Sequence, residues 1–226
     1  LYYGSRCDRY NVRTEKAKTS GEDILNWRTR KLFEHAEVSM SASTDQTSAV
    51  ATEVLSSSSL CHSELQNQTS KTVAIPRALI TWQVLPLFSR FFKALGLQVS
   101  VSGKTTKKTI QRGVESVPAQ PCFPVKAAFG HVCEILETQP DFLFIPFIPS
   151  MTPVAAEQSY HKLCPYVQSF AFQGQSAFAG RFGRTQLLSG PLRLGEGPKA
   201  MKRSFRHLAA QVGAGAKQAD AALEAA

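Results

Sequence analysis

Two cysteines stand at proline-rich junctions of the sequence. Cys122 is flanked by prolines and directly precedes a segment with helical periodicity, and Cys164 immediately precedes Pro165. Unpaired backbone N–H groups and the helix dipole stabilise a thiolate at a helix N-terminus, which makes it a better metal ligand. Most free cysteines are small buried hydrophobic residues, however, and the spacing alone favours that interpretation for both.

The other cysteines do not form a recognisable metal motif with these two. The sequence has no Cys-x-x-Cys pair, so spacing supports neither a zinc ribbon nor a ferredoxin-type cluster. Cys133 is predicted to lie in the core in the middle of a helix, and Cys61 lies in a Ser-rich stretch. The five cysteines are an odd number, widely spaced and without a secretory signal, which predicts reduced thiols in the cytoplasm.

His131 and Lys126 lie on the helical segment that follows Cys122. His131 could act as a ligand or an acid, but a hydrogen-bonded structural imidazole is the commoner outcome. Lys126 could raise the local positive potential near a thiolate, or it could simply be solvated. The stretch Ser102-Gly103-Lys104-Thr105 lacks the first glycine of the G-x-x-x-x-G-K-[ST] pattern, which excludes a Walker motif.

The chain carries 26 basic and 17 acidic residues, a formal charge of +9. Residues 71–113 contain no acidic residue, so part of the excess is regional. Such a charge fits an anionic partner (nucleic acid, a phosphate-bearing cofactor or an acidic protein) or a solvated basic face. Nucleic acid ranks last, because the basic residues are not interleaved with aromatic stacking residues. The longest apolar run, 142–148, is too short to span a membrane.

The order of predicted elements indicates an α/β protein. We divide the chain into an N-terminal segment (1–38) with a short helix near residues 23–33, a Ser/Thr-rich linker (39–72) and a main domain (73–226). The main domain has predicted strands at 73–75, 97–101 and 141–146, helices at about 82–95, 104–112, 124–137, 199–212 and 214–226, and loops at 174–197. Gly113 is expected to stop the helix at 104–112. Alternating strands and helices predict a Rossmann-like parallel sheet flanked by helices, with C-terminal helices after it. Ligands bind at the carboxyl edge of such sheets, so Cys122 and Cys164 could meet there.

Several short motifs in the right order resemble the activase-related domain of large 2-hydroxyacyl-CoA dehydratase activator proteins, over about residues 72–170. The motifs are Ile75-Pro76-Arg77-Ala78-Leu79, Leu85-Pro86-Leu87-Phe88, Phe91-Phe92, Leu95-Gly96, Lys104-Thr105, Gly113-Val114-Glu115-Ser116-Val117-Pro118, Cys122-Phe123-Pro124-Val125-Lys126, Gly130-His131 and Cys164-Pro165-Tyr166. Residues 4–10 also resemble the Gly-x-(Arg/Lys)-Cys-x-Arg-Tyr segment that precedes this domain. Phe129 departs from the pattern, since the family often has a second histidine there.

The resemblance implies an oxygen-sensitive iron-sulfur system, in which an ATPase drives one electron onto a cluster in a dehydratase-like module. By motif match, Cys122 and Cys164 would be ligands of a [4Fe-4S] cluster, with Cys7 a weaker third candidate. The sequence has no actin-like ATPase motif, so ATP would bind on a separate domain or chain. The implied partners are an actin-like ATPase activase module or a dehydratase-like subunit, and a homo-oligomer is also compatible.

A second hypothesis keeps the fold without the cluster. The chain would then be a non-catalytic docking domain that binds its ATPase or dehydratase partner through the basic region 71–113. Under either hypothesis, we expect the chain to be a segment of a longer protein and not a complete enzyme by itself.

Overall fold

The structure is a computed structural model and describes residues 24–36, 38, 70–152 and 161–226. Within these residues, seven helices surround four strands. In chain order the elements are α1 (Ile24–Ala36), β1 (Thr72–Ile75), α2 (Thr81–Ala94), β2 (Gln98–Val101), α3 (Lys107–Ser116), α4 (Phe123–Thr138), β3 (Phe142–Phe144), α5 (Pro165–Ala177), β4 (Gln186–Leu188), α6 (Pro198–Gln211) and α7 (Ala216–Glu224). None of the described helices is both long and apolar enough to cross a membrane.

The four strands form one parallel sheet in the order β2-β1-β3-β4. Ile75 of β1 pairs with Val101 of β2, and Leu143 of β3 pairs with Leu187 of β4. This arrangement confirms the predicted α/β fold with a Rossmann-like parallel sheet. β2 and β3 lie on opposite sides of β1, so the direction of winding reverses between β1 and β3, which is the position where such sheets bind ligands.

Alternate residues of the central strands feed two separate apolar cores. Val73 and Ile75 point to one face of the sheet, and Ala74 points to the other, as the two-residue period of a strand requires. The first core lies under α1, α2, α6 and α7 and contains the stacked pair Phe88 and Phe205, whose ring centroids are 5.4 Å apart. The second core lies under α4 and α5. Burial of both faces explains why β1 and β3 are almost entirely apolar.

The predicted N-terminal helix is present as α1. Phe33 and Ala36 of α1 are buried in the first core, and the Arg90 Nε of α2 donates a hydrogen bond of 3.1 Å to the His35 carbonyl. Residues 39–69, most of the predicted linker, lie outside the described residues. The boundaries 1–38, 39–72 and 73–226 stay a prediction.

The prediction that Gly113 ends a helix is wrong, because α3 continues to Ser116. Gly113 instead faces α4, where an added Cβ would overlap the Lys126 carbonyl oxygen. Gly130 plays the reciprocal part on α4, since a Cβ there would overlap the Thr109 carbonyl. The two glycines let the backbones of α3 and α4 touch. The glycine at 113 is therefore a packing residue and not a helix stop.

The sequence also predicts loops at 174–197, and this is wrong for part of that range. The end of α5, which contains Gly174, and the short strand β4 both lie there. β4 has only three residues, and its identity comes from its backbone pairing with β3 and not from a local pattern. The remaining predicted elements coincide with observed ones to within a few residues.

We expect Gly113→Ala to lower the free energy of unfolding by about 2–3 kcal/mol, because overpacking forces backbone shifts. Gly174→Ala is the matched control, since it is also a buried helical glycine but its added Cβ would meet only Ile145 Cδ1 at 3.5 Å. The control should be neutral or slightly stabilising, because alanine favours helix over glycine. Urea unfolding of the two variants checks this, and equal midpoints would contradict the proposed contact.

Candidate functional site

Several loops and helix N-termini meet at the carboxyl edge of the sheet. The segments after β1, β2 and β3 open at this edge, and α2, α3 and α5 begin there. α4 runs back toward the start of β3, and its middle contacts the loop after β2 through His131. The edge therefore collects backbone N–H groups and loop side chains, which is the usual setting for ligand binding in a parallel sheet.

Both candidate cysteines are exposed and occupy helix N-caps. Cys122 is the N-cap of α4 and Cys164 the N-cap of α5, and each helix has proline at its N1 or N2 position. Neither sulfur caps its own helix. The two helices contact each other through Phe129 and Phe170, whose ring centroids are 5.3 Å apart. That Cys122 and Cys164 meet stays a prediction.

A cavity of about 510 Å³ lies at the point where the winding of the sheet reverses. Its walls come from α1, from the segment after β1 and from the start of α5. Leu32, Leu79, Ile80, Leu163 and Val167 make it largely apolar, with Arg28, Thr29, Gln83 and Cys164 as its polar lining. Cys164 therefore lines an open cavity, whereas Cys122 is not part of that lining.

Cysteine thiols are suitable ligands for an iron-sulfur cluster, but the described residues offer too few of them to hold one alone. Cluster irons take thiolate ligands, four for a [4Fe-4S] cluster. Among the described residues, no group of three or more His, Cys, Asp or Glu side chains could hold a metal. Cys7 lies outside those residues. The described part of the chain could supply two ligands at most, and the others would have to come from elsewhere.

Cys133 is buried in the second core, as predicted. Its Sγ lies 3.1 Å from the Ser116 Oγ of α3. It faces the contact between α3 and α4 and not the carboxyl edge, so it serves as a comparison for the two exposed cysteines.

His131 joins α4 to the loop after β2 through a buried hydrogen-bond network. Its Nδ1 lies 2.9 Å from Ser102 Oγ, and its Nε2 lies 2.9 Å from Thr105 Oγ1. Ser102 Oγ also accepts the backbone N–H of Arg77 at 2.8 Å, which ties in the loop after β1. A neutral imidazole satisfies both hydroxyl contacts, since one ring nitrogen donates and the other accepts. His131 is thus the hydrogen-bonded structural imidazole, with no exposed surface for a ligand.

Burial, and to a smaller extent the positive charge of Arg77, lower the pKa of His131 from 6.5 to about 4. The Glu134 carboxylate is 3.8 Å from Nδ1, but it is itself hydrogen-bonded to Thr109 Oγ1 at 2.6 Å. The imidazole is consequently neutral at pH 7 and holds the two loops in place as an uncharged group.

Two features of this edge could not be predicted from the local sequence. The contribution of α1 to the cavity depends on packing across more than forty residues of chain. The contacts of Ser102 and Thr105 with His131 depend on where α4 crosses the sheet. A polar residue just after a strand, such as Ser102, was the one available sign that the β2 loop carries contacts.

We expect the protein to lose about 3 kcal/mol of stability through His131 between pH 7 and pH 4. The unfolded chain binds a proton below pH 6.5, whereas the folded chain binds one only near pH 4, so acidification favours unfolding in that interval. His131→Gln removes this titration and should flatten the pH dependence of the unfolding free energy by that amount. Urea titrations of both proteins at pH 7 and pH 4 make the comparison. Equal slopes would contradict a neutral buried imidazole.

Comparison with known proteins identifies a family for this chain. A search of curated proteins and a search of solved structures each gave no significant match. A family model described as the CoA enzyme activase uncharacterised domain matches residues 72–226, which include the whole sheet and the helices α2 to α7. This match covers most of the chain and agrees with the resemblance of its motifs. The chain therefore belongs to the family of the CoA enzyme activase uncharacterised domain.

Proposed function

We propose that this chain is an electron-transfer domain of a CoA enzyme activase-related protein, in which Cys122 and Cys164 ligate an iron-sulfur cluster. The observation that supports the proposal is that both thiols are exposed and that each is the N-cap of one of two contacting helices, α4 and α5. Each thiol lies at a helix start, where the positive end of the helix dipole would offset part of the negative charge of a cluster. Cys133, the third described cysteine, lacks both features.

A cluster held there would supply one-electron chemistry when bound. The residues of this chain would do three things for it. Cys122 and Cys164 would hold it at the edge, the helix N-termini of α4 and α5 would offset its negative charge, and the apolar walls of the cavity beside Cys164 would limit water on that side. Exposure of both cysteines leaves the opposite side open to a partner.

The missing ligands define which partners the proposal requires. They could come from Cys7, from a second copy of this chain, or from a dehydratase-like subunit. ATP hydrolysis would take place on a separate domain or chain with an actin-like ATPase fold, as the family resemblance implies. We propose that the system operates in the cytoplasm, where thiols stay reduced.

We expect the full chain, purified and reconstituted without oxygen, to contain iron and acid-labile sulfide, roughly four irons per cluster. Cys122→Ala and Cys164→Ala should each lose most of that iron, because these are the two exposed thiols among the described residues. Iron and sulfide analysis, together with optical and EPR spectra, measures this directly.

Cys133→Ala is the matched control and should retain iron, since its sulfur lies in the core between α3 and α4. Cys7→Ala separates the sources of the third ligand: iron loss would assign it to this chain, and retention would assign it to a partner or second copy. Absence of iron from the wild-type protein would contradict the cluster and favour the docking hypothesis.

A further inference from the structure

A groove of about 810 Å³ runs along the edge strand β2, on the face of the sheet that carries α4. One end lies at the loop after β2, at residues 102–108, and the other reaches residues 138–140 and Arg184 at the opposite edge of the sheet. It is separate from the cavity that contains Cys164, since the two share no lining residue. Its volume is in the range of small-molecule sites, roughly 300–1,000 Å³.

The groove exists because α3 packs against α4 and not over β2. The glycine contact of Gly113 and Gly130 brings the two backbones together. Two side-chain bridges keep them there: Thr109 Oγ1 donates to Glu134, and Arg112 donates to Glu137 at 2.7 Å. The outer face of β2 is left without a helix above it, and Ser100 on that face is exposed.

Small side chains form the floor of the groove. Ala74 of β1 and Ser100 of β2 lie there, with Ile135 and Pro140 adding apolar walls. A strand face that packs in a core normally carries larger apolar residues, as Val99 and Val101 do on the other face of the same strand. The floor therefore leaves room for an uncharged body about as thick as a planar ring.

Positive charge gathers at one end of the groove. Lys104, Lys107 and Lys108 line it beside the start of α3, and within the described part of the chain no ion-pair or hydrogen-bond partner is found for them. The two acidic side chains of the lining, Glu134 and Glu137, are already engaged by Thr109 and Arg112. The lysine ammonium groups and the N-terminus of a ten-residue helix favour an anion at this end.

We propose that the groove binds a small molecule that carries two or more adjacent phosphate groups and an uncharged ring-bearing body, such as a nucleoside diphosphate. The phosphates bind at the lysine end, and the body lies over Ala74 and Ser100. Three unneutralised ammonium groups match the charge of a diphosphate, whereas the volume of the groove and its small floor residues match a body that an inorganic anion lacks. An acidic protein segment would use the charge but has no need of the small floor residues.

The test uses the full chain in low-salt buffer and calorimetric titration with ADP, tripolyphosphate and adenosine. We expect ADP to bind, tripolyphosphate to bind more weakly and adenosine to bind least, because the first combines both parts of the site. Lys107→Gln/Lys108→Gln should weaken ADP binding by at least about tenfold, and added salt should weaken it further.

Two controls separate the groove from general charge. Lys199→Gln/Lys217→Gln removes the same charge from exposed positions on α6 and α7 and should leave the ADP affinity unchanged. Ser100→Phe fills the floor at an exposed strand position and should abolish the advantage of ADP over tripolyphosphate, with circular dichroism to verify the fold.

No ADP binding at millimolar concentration, or equal weakening by the two lysine pairs, would overturn the proposal. Binding of an acidic peptide but not of ADP would overturn it in favour of a docking surface. None of these readouts depends on iron, so this proposal and the cluster proposal fail independently.

Discussion

The contact between α3 and α4 at Gly113 and Gly130 is the constraint on which much of this edge of the molecule depends. Two helices whose backbones touch leave no room for side chains between them, so their relative position is fixed within a narrow range. Two side-chain hydrogen bonds further hold the helices in this position. They join Thr109 to Glu134 and Arg112 to Glu137. Because α3 is held on the outside of α4, it cannot cover β2, and the groove along that strand follows.

The same constraint positions the loop that precedes α3. Thr106 caps α3 by accepting the N–H of Thr109, so the loop after β2 ends at a fixed point. His131 on α4 then forms hydrogen bonds with Ser102 and Thr105 of this loop. A buried neutral imidazole serves here better than a charged group would, because a charge in this place would carry a large desolvation cost. The loop that carries Lys104 is thus anchored on both sides by α4 and α3.

The sequence predicts the parts of this structure that are encoded locally. Val73-Ala74-Ile75 and Phe142-Leu143-Phe144 are continuous apolar runs that identify buried parallel strands, and the helix after Cys122 is predicted from its periodicity. The helix α5 after Cys164 is not among the predicted elements. Parts that depend on tertiary packing are not predicted. Gly113 has the local features of a helix stop, and only its neighbour on α4 determines its actual role. β4 has three residues, too few for a periodic pattern, and becomes a strand through its pairing with β3.

The candidate site divides in the same way. The family motifs select Cys122 and Cys164 as candidates, and the helical pattern assigns Cys133 to the core. The exposure of the two candidates and the N-cap position of Cys164 are known only from the structure. The cavity beside Cys164 could not be found from sequence, because α1 reaches it only through the burial of Phe33 and Ala36 in the first core. The shape of a cavity depends on how several elements pack together, and the local sequence of each element does not reveal that packing.

The cavity and the groove are joined through the loop after β1. The Arg77 N–H of this loop is bonded to Ser102 at the mouth of the groove, and Leu79 and Ile80, two and three residues further on, line the cavity. Leu79 adopts a left-handed conformation with φ of 53°, which a leucine accepts only where surrounding contacts hold it. The geometry of the Cys164 cavity and that of the lysine end of the groove are therefore set by the same few residues.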